Sequence, residues 1–299
     1  MNAADQVRQY DRTAQAVGNI VHLEHFNCLQ DDQRLATLFY VVGLGGTRDP
    51  YLFMGLENMW VNFGRTQVHL PSRGPAPRPE VLRGTVGFVV PDLAALKKNL
   101  DYAGREMKRV VPEKTTRFSW QDKGDAVEAT CPWGNRIRCH APTPEYPGTE
   151  LGLVYVDFDV PSGTAAGIAR FYGEVMKAPA RAENGRAIVS VGRHQKIFFS
   201  ETQETLPEYD GHHIQIYIAD FAGPYGWLKA RGLINMETDR NEWRFRWITD
   251  PRDGRQLFQI EHEVRSMKHP LFGRPLVNRN PDITNMTYVP GYDAFRGTY

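Results

Sequence analysis

"HFNCLQDDQRLATLFY" (25–40) and "DFDVPSGTAAGIARFY" (157–172) follow one pattern. Each reads as the end of an apolar strand, a short connection, and a small-residue helix that closes on Phe-Tyr. The first opens on a histidine, the second on an aspartate. The two Phe-Tyr pairs stand 132 residues apart. A second echo, "FVVPDLAALKKNLDYAG" (88–104) against "IYIADFAGPYGWLKARG" (216–232), aligns Asp92 with Asp220 and Gly104 with Gly232 at an offset of 128. A third, "FGRTQ" (63–67) against "VGRHQ" (191–195), has the same offset of 128. Three echoes at nearly one spacing indicate an internal duplication.

Working outward, each half holds two similar units: a strand, a helix of about three turns, and several strands broken by Gly, Pro and Asp. That gives four βαβββ units, near 20–73, 82–143, 151–203 and 210–265. The strand candidates are "YLFMG", "MWVNFG", "TVGFVV", "AIVSVG", "HIQIYIA", "WRFRWI" and "LFQIEHEV". Pro-rich "PSRGPAPRPE" (71–80) and "APTPEYPGTE" (141–150) separate units, the second marking the boundary between halves. The expected organisation is a helical extension over 1–19, a first half over 20–143, a second half over 151–265, and an extended C-terminal arm over 266–299. "GLGG" (43–46) follows a helix instead of opening one and reads as a turn, not a dinucleotide site.

With 36 basic against 35 acidic residues, the chain has no charge excess with which to hold a nucleic acid or an anionic membrane. It has no apolar run of the ~18 residues a membrane span needs, and its first residues carry no apolar signal core. The three cysteines, Cys28, Cys131 and Cys139, lack CxxC spacing, which fits buried thiols in a reduced, cytoplasmic setting. Its length supports a sizeable core.

Four tandem βαβββ units, with a histidine heading a strand and Phe-Tyr closing the next helix, resemble the vicinal oxygen chelate superfamily. The resemblance covers about 20–265 and implies an α+β fold of two cup-shaped mixed β-sheets with helices outside. In that superfamily a divalent metal sits in a cup, held by residues from the first and last strands of paired units. The first-strand ligand lies seven residues before the Asp that opens the helix and fourteen before the Phe of Phe-Tyr. Both counts select His25, from Asp32 and from Phe39. The same counts select His213 in unit four, Thr85 in unit two and Asp157 in unit three. On the last strands, "VHL" offers His69 and "IEHE" offers Glu261, while "IRC" offers Arg138 and "IFF" offers Phe198. Units one and four thus hold a complete set, His25, His69, His213 and Glu261, and units two and three do not. The resemblance also pairs unit one with four, and two with three. It therefore implies one site kept and its duplicate lost, in a chain that needs no partner to complete its cup.

Two imidazoles and one carboxylate on one face of a metal form the facial triad of non-haem Fe(II) oxygenases. His25, His213 and Glu261 supply that set. The expected cofactor is accordingly Fe(II), with Mn(II), Ni(II) or Zn(II) as alternatives, and the expected partners are a small-molecule substrate and O₂. The leading expectation is extradiol-type ring cleavage of a catechol- or hydroquinone-like aromatic. If His69 also binds, four protein donors point instead to a glyoxalase-like lyase or isomerase. The third reading is a metal-free protein that sequesters an aromatic compound. Tyr217, four residues after His213, shares its face, and His212 adjoins it, so both are candidate catalytic groups. His22 lies an odd step from His25 and is expected off its face. His262 is expected outside the cup. "WRFRW" (243–247) sets three aromatics on one face and two arginines on the other, one of which looks into the cup.

Overall fold

The structure, a computed structural model, describes residues 12, 15–52, 57–72 and 78–278. Four units follow one another: β1 (Ile20–Asn27), α1 (Gln33–Ala36), β2 (Thr47–Arg48), β3 (Asn58–Phe63) and β4 (Thr66–Pro71); then β5 (Gly84–Val89), α2 (Leu93–Val110), β6 (Ser119–Asp122), β7 (Ala126–Thr130) and β8 (Arg136–His140). The second half repeats them: β9 (Gly152–Pro161), α3 (Ala165–Arg170), β10 (Ala180–Glu183), β11 (Arg186–Val191) and β12 (Gln195–Thr202); then β13 (His213–Ile218), α4 (Ala222–Lys229), β14 (Ile234–Thr238), β15 (Glu242–Thr249) and β16 (Gln256–Ser266). Both α1 and α3 widen into π-helical turns, Thr37–Gly43 and Phe171–Val175, which carry the Phe-Tyr pairs.

Helices α1 and α2 start where the sequence places an aspartate. Asp32 accepts hydrogen bonds from the backbone N–H groups of Arg34 and Leu35, and Asp92 from those of Ala94 and Ala95. Each satisfies donors that a helix start leaves open.

The strands form two eight-stranded mixed sheets, ordered β14-β15-β16-β13-β1-β4-β3-β2 and β10-β11-β12-β9-β5-β8-β7-β6. Unit one therefore joins unit four through β1 and β13, and unit two joins unit three through β5 and β9. Each sheet takes one unit from each half of the chain. The sequence repeat and the packing unit are different divisions of the same molecule.

One face of each sheet is apolar, and these faces meet. Phe88 of β5 packs on Phe26 and Phe63 of the first sheet, with ring centroids 6.4 and 4.8 Å apart. Phe258 of β16 packs on Phe158 and Phe199 of the second. Each such fully buried ring contributes about 1.5–3 kcal/mol. The Phe-Tyr pairs lie in the same core, and the Tyr172 hydroxyl bonds His262 Nε2 there at 2.5 Å. His262 lies off the polar face, as expected.

One expectation changes, one lies mostly outside the described residues, and one left open is decided. "YLFMG" is no strand at Tyr51 and Leu52, its next residues lie outside the described ones, and the strand before β3 is Thr47–Arg48 instead. The helical extension over 1–19 lies mostly outside the described residues, and 15–19 form no α-helix. Trp243 and Phe245 turn to the core, so the arginines of "WRFRW" take the cup face. Of the arm, residues to Asn278 are described. It is strapped to unit one by Arg274 on Asp49 (2.6 Å), Asn62 Nδ2 donating to the Val277 carbonyl (3.0 Å), and Asn278 bonded both ways to the Gly64 backbone. Among the described residues no helix is long and apolar enough to cross a membrane.

Candidate metal centre

Strand alternation sends Ile214, Ile216 and Ile218 to the core and His213, Gln215 and Tyr217 to the opposite, polar face of β13. Register then sets their neighbours across the sheet. His213 stands beside Glu261, Gln215 beside Glu263, and Tyr217 beside Arg265. On the other side Gln215 faces His25, which in turn stands beside Gln67, and Asn27 stands beside His69. This polar face is the inside of the cup.

His25, His69 and His213 each offer a ring nitrogen, and these atoms all lie within 4.8 Å of one another. The ring centroids of His69 and His213 are 5.9 and 6.1 Å from that of His25. Residues from the first and fourth units, 188 positions apart at His25 and His213, are thus brought together.

A β-bulge at Glu24, between the pairs Leu23–Ile216 and His25–Gln215, places two consecutive side chains on one face. Glu24 therefore reaches the neighbouring ring: its Oε2 lies 3.3 Å from His25 Nδ1. The carboxylate fixes Nδ1 as the protonated nitrogen and leaves the lone pair on Nε2, as a carboxylate behind a metal-binding histidine does. Burial, partly opposed by Glu24 and Glu263, lowers the His25 pKa and keeps the ring neutral. The same bulge corrects the reading of His22. Its register partner is Tyr217, two residues from that of His25, so the odd step along the chain becomes an even one across the sheet.

His69 is held differently. Trp60 stacks on it at 3.7 Å, Asn58 Oδ1 accepts from Nε2, and Asn27 Nδ2 approaches Nδ1 at 2.5 Å. Asn58 thereby leaves the Nδ1 lone pair for Asn27 or for a cation.

The carboxylates divide. Glu261 is engaged by Arg246 Nε (2.7 Å), Arg244 Nη1 (3.1 Å) and Asn235 Nδ2 (3.1 Å). Glu263 instead lies 3.4 Å from His213 Nε2 and is backed by Arg244 Nη2 (2.6 Å) and Arg265. Its burial would raise its pKa, yet His213, Arg265, His25 and Arg244 together hold it well below the usual carboxylate range. Internal symmetry makes the same choice. His69 lies two residues beyond the register partner of His25, and Glu263 two beyond that of His213. Sequence counting took position two in the first half and position zero in the second. The same offset recurs in unit three, where Ser200 lies two residues beyond Phe198, the register partner of Asp157.

Glu24, Glu242, Glu261 and Glu263 interlock with Arg244, Arg246 and Arg265. The four carboxylates of this network against its three guanidinium groups leave one negative charge in excess, which suits a cation. The donor set also fits one by what it leaves unmet. Among the described residues His25 Nε2, His213 Nε2 and Gln215 Oε1, all able to offer a lone pair, are buried without a hydrogen-bond partner. Tyr217 and His212 are not in the three-imidazole group. Tyr217 Oη donates to Glu24 (3.2 Å), and His212 is fully buried with Nδ1 on Asp210 (2.6 Å).

The second cup is filled by its own side chains. Asp157 is held by Arg186 (2.5 Å) and Ser200 (2.8 Å), Arg186 covers the Phe198 ring at 3.8 Å, and Arg138 pairs with Glu128 (2.9 Å). The Tyr155 ring lies where a side chain at Gly87 would be.

No protein-family model matches the chain, and no curated protein matches it. Solved structures do. A putative dioxygenase from Bacillus subtilis aligns with a TM-score of 0.53 at 14% identity, over 83% of this chain and 86% of that one. Glyoxalase I from Zea mays aligns with a TM-score of 0.53 at 14% identity, over 81% of this chain and 91% of that one. The chain has the vicinal oxygen chelate fold. At this identity the likeness establishes architecture alone. Among the described residues, the first-and-fourth-unit cup of this vicinal oxygen chelate fold is the one lined by clustered imidazoles.

Proposed function

We propose that this cup holds one divalent metal ion between His25, His69, His213 and Glu263, and that the chain is an enzyme acting on a small molecule with two neighbouring oxygens. The observation that carries the reading is the buried His25 Nε2, without a partner in a group of three imidazoles whose ring nitrogens lie within 4.8 Å of each other. An acceptor left so costs about 1–3 kcal/mol, which a bound cation would offset.

A divalent ion in such a donor set supplies Lewis-acid polarisation to a carbonyl, enediol or diolate. The chain's own residues prepare the place. Glu24 holds the Nδ1 proton of His25, Asn58 that of His69 Nε2, and Arg244 and Arg265 keep Glu263 ionised. Trp60 closes one side of His69 against water. Four protein donors leave room for both substrate oxygens on a six-coordinate ion and none for O₂ beside them. This favours glyoxalase-like isomerase or lyase chemistry.

A second reading is Fe(II)-dependent ring cleavage of a catechol- or hydroquinone-like aromatic. The engagement of both His69 nitrogens by Asn27 and Asn58 favours it, since His69 would then stay off the ion and leave a facial triad of His25, His213 and Glu263. Anaerobic purification, elemental analysis, and assays of hemithioacetal turnover and oxygen uptake separate the two. Oxygen-independent turnover with nickel, zinc or manganese supports the first, and iron with substrate-dependent oxygen uptake supports the second. A chain that takes up no divalent metal contradicts both.

A further inference from the structure

A cavity of about 570 Å³ lies where the two halves of the chain meet under the C-terminal arm. The start of β1, the connection before β9, the turn between β11 and β12, and residues 271–276 of the arm build it. None of the three clustered histidines lines it. Glu24 and Tyr217 form the wall it shares with the cup.

Its size is that of a small-molecule site, and a junction between duplicated halves is a common place for one. Leu151, Leu153, Phe272 and Leu276 supply apolar walls, and Phe272 is fixed by its ring packing on Tyr217 at 4.9 Å. The charge is one-sided: Arg65, Arg193 and Arg274 stand against Glu24 alone. Glu24 is already paired with Arg265, and Arg274 with Asp49, so neither dominates the mouth. Arg193 is exposed at the rim. His22, on the wall, spends its ring nitrogens on Gln195 and the Arg65 carbonyl.

We propose that this cavity binds an amphipathic organic anion, with its apolar or aromatic body against Leu151, Leu153 and Phe272 and a carboxylate, sulfonate or phosphate end at the Arg193 rim. The site goes beyond the metal reading and does not rest on it. The probe is 8-anilinonaphthalene-1-sulfonate, followed by fluorescence titration of the full chain with divalent metals chelated. Saturable binding of one probe per chain is expected, and neutral N-phenyl-1-naphthylamine should bind more weakly. Arg193→Glu should weaken the sulfonate roughly fivefold, the scale of one rim charge, and leave the melting temperature unchanged. Thr149→Trp, which fills the cavity from its half-buried loop, should abolish binding. Should that variant fail to fold, Arg193→Glu decides. The proposal is overturned by an absence of saturable binding, by equal affinity for the neutral probe, or by an Arg193→Glu chain that binds as tightly as the parent. Because the titration is run without metal, its outcome is separate from that of the metal reading.

Discussion

Glu24→Gln tests how the cup prepares His25. The Glu24 carboxylate sits 3.3 Å from His25 Nδ1, accepts from Tyr217 Oη at 3.2 Å, and pairs with Arg265 at 3.3 Å. Burial would raise its pKa, but His25, Arg265 and His22 outweigh that and keep it ionised. Glutamine keeps an acceptor for His25 and removes the charge. Arg265 retains Glu242 and Glu263, so no guanidinium is stranded. The folding cost should therefore stay near that of a weakened hydrogen bond, about 1–2 kcal/mol, well below the 3–5 kcal/mol of an abandoned buried charge (about that range in ion pairs). Metal affinity should fall roughly 10–100-fold, as when a carboxylate behind a histidine ligand is lost, or about 1.4–2.8 kcal/mol. Competition of zinc or nickel between the apoprotein and a chelating dye measures it, with thermal melting alongside. A variant that melts near the parent and binds metal with undiminished affinity refutes the reasoning.

Glu263→Gln should cost roughly 100-fold or more in metal affinity, whereas Glu261→Gln should cost little affinity but lower the melting temperature by leaving Arg244 and Arg246 short of an acceptor; the reverse ranking would make Glu261 the ligand. Asp32 is buried, which opposes ionisation, but Arg34 and the Leu35 and Arg34 amides lower its pKa to about 2. Its folded pKa is depressed, so its contribution is present above the unfolded value and lost as pH falls from about 4 to 2. Asp32→Asn keeps a helix cap without that titration, so the acid-unfolding profile should flatten in this window; an unchanged profile counts against it. In the second cup, a Cβ at Gly87 would lie 2.2 Å from the Tyr155 ring. Gly87→Ala should cost about 1–3 kcal/mol, and adding Tyr155→Leu should recover most of it in chemical unfolding, whereas strictly additive losses would show that the two do not compete.

The four units were legible because their helix starts and Phe-Tyr pairs keep a spacing that insertions have not blurred. His25 and His213 were legible for the same reason, since both are counted along a continuous strand–helix segment. Glu263, the proposed carboxylate donor, was not, because its place is fixed by the pairing of β13 with β16, whose register depends on loops between them. Period two along β16 already put Glu261 and Glu263 on one face; only the neighbouring strand chooses. His22 was misplaced because a bulge changes face parity without any marker in the residues themselves. The polar partners that pin the site, Glu24, Asn27 and Asn58, carry no motif. They become meaningful only once the sheet lays them beside three histidines.

The central claim is that imidazoles from both ends of the chain share one cation. An anomalous-difference map from crystals grown with zinc or nickel tests it most directly. The account predicts a single strong peak in the first-and-fourth-unit cup, about 2.0–2.2 Å from nitrogens of His25 and His213 and from a Glu263 oxygen. A cup without a peak, or one whose metal is held by Glu261 and not by His25, would contradict it.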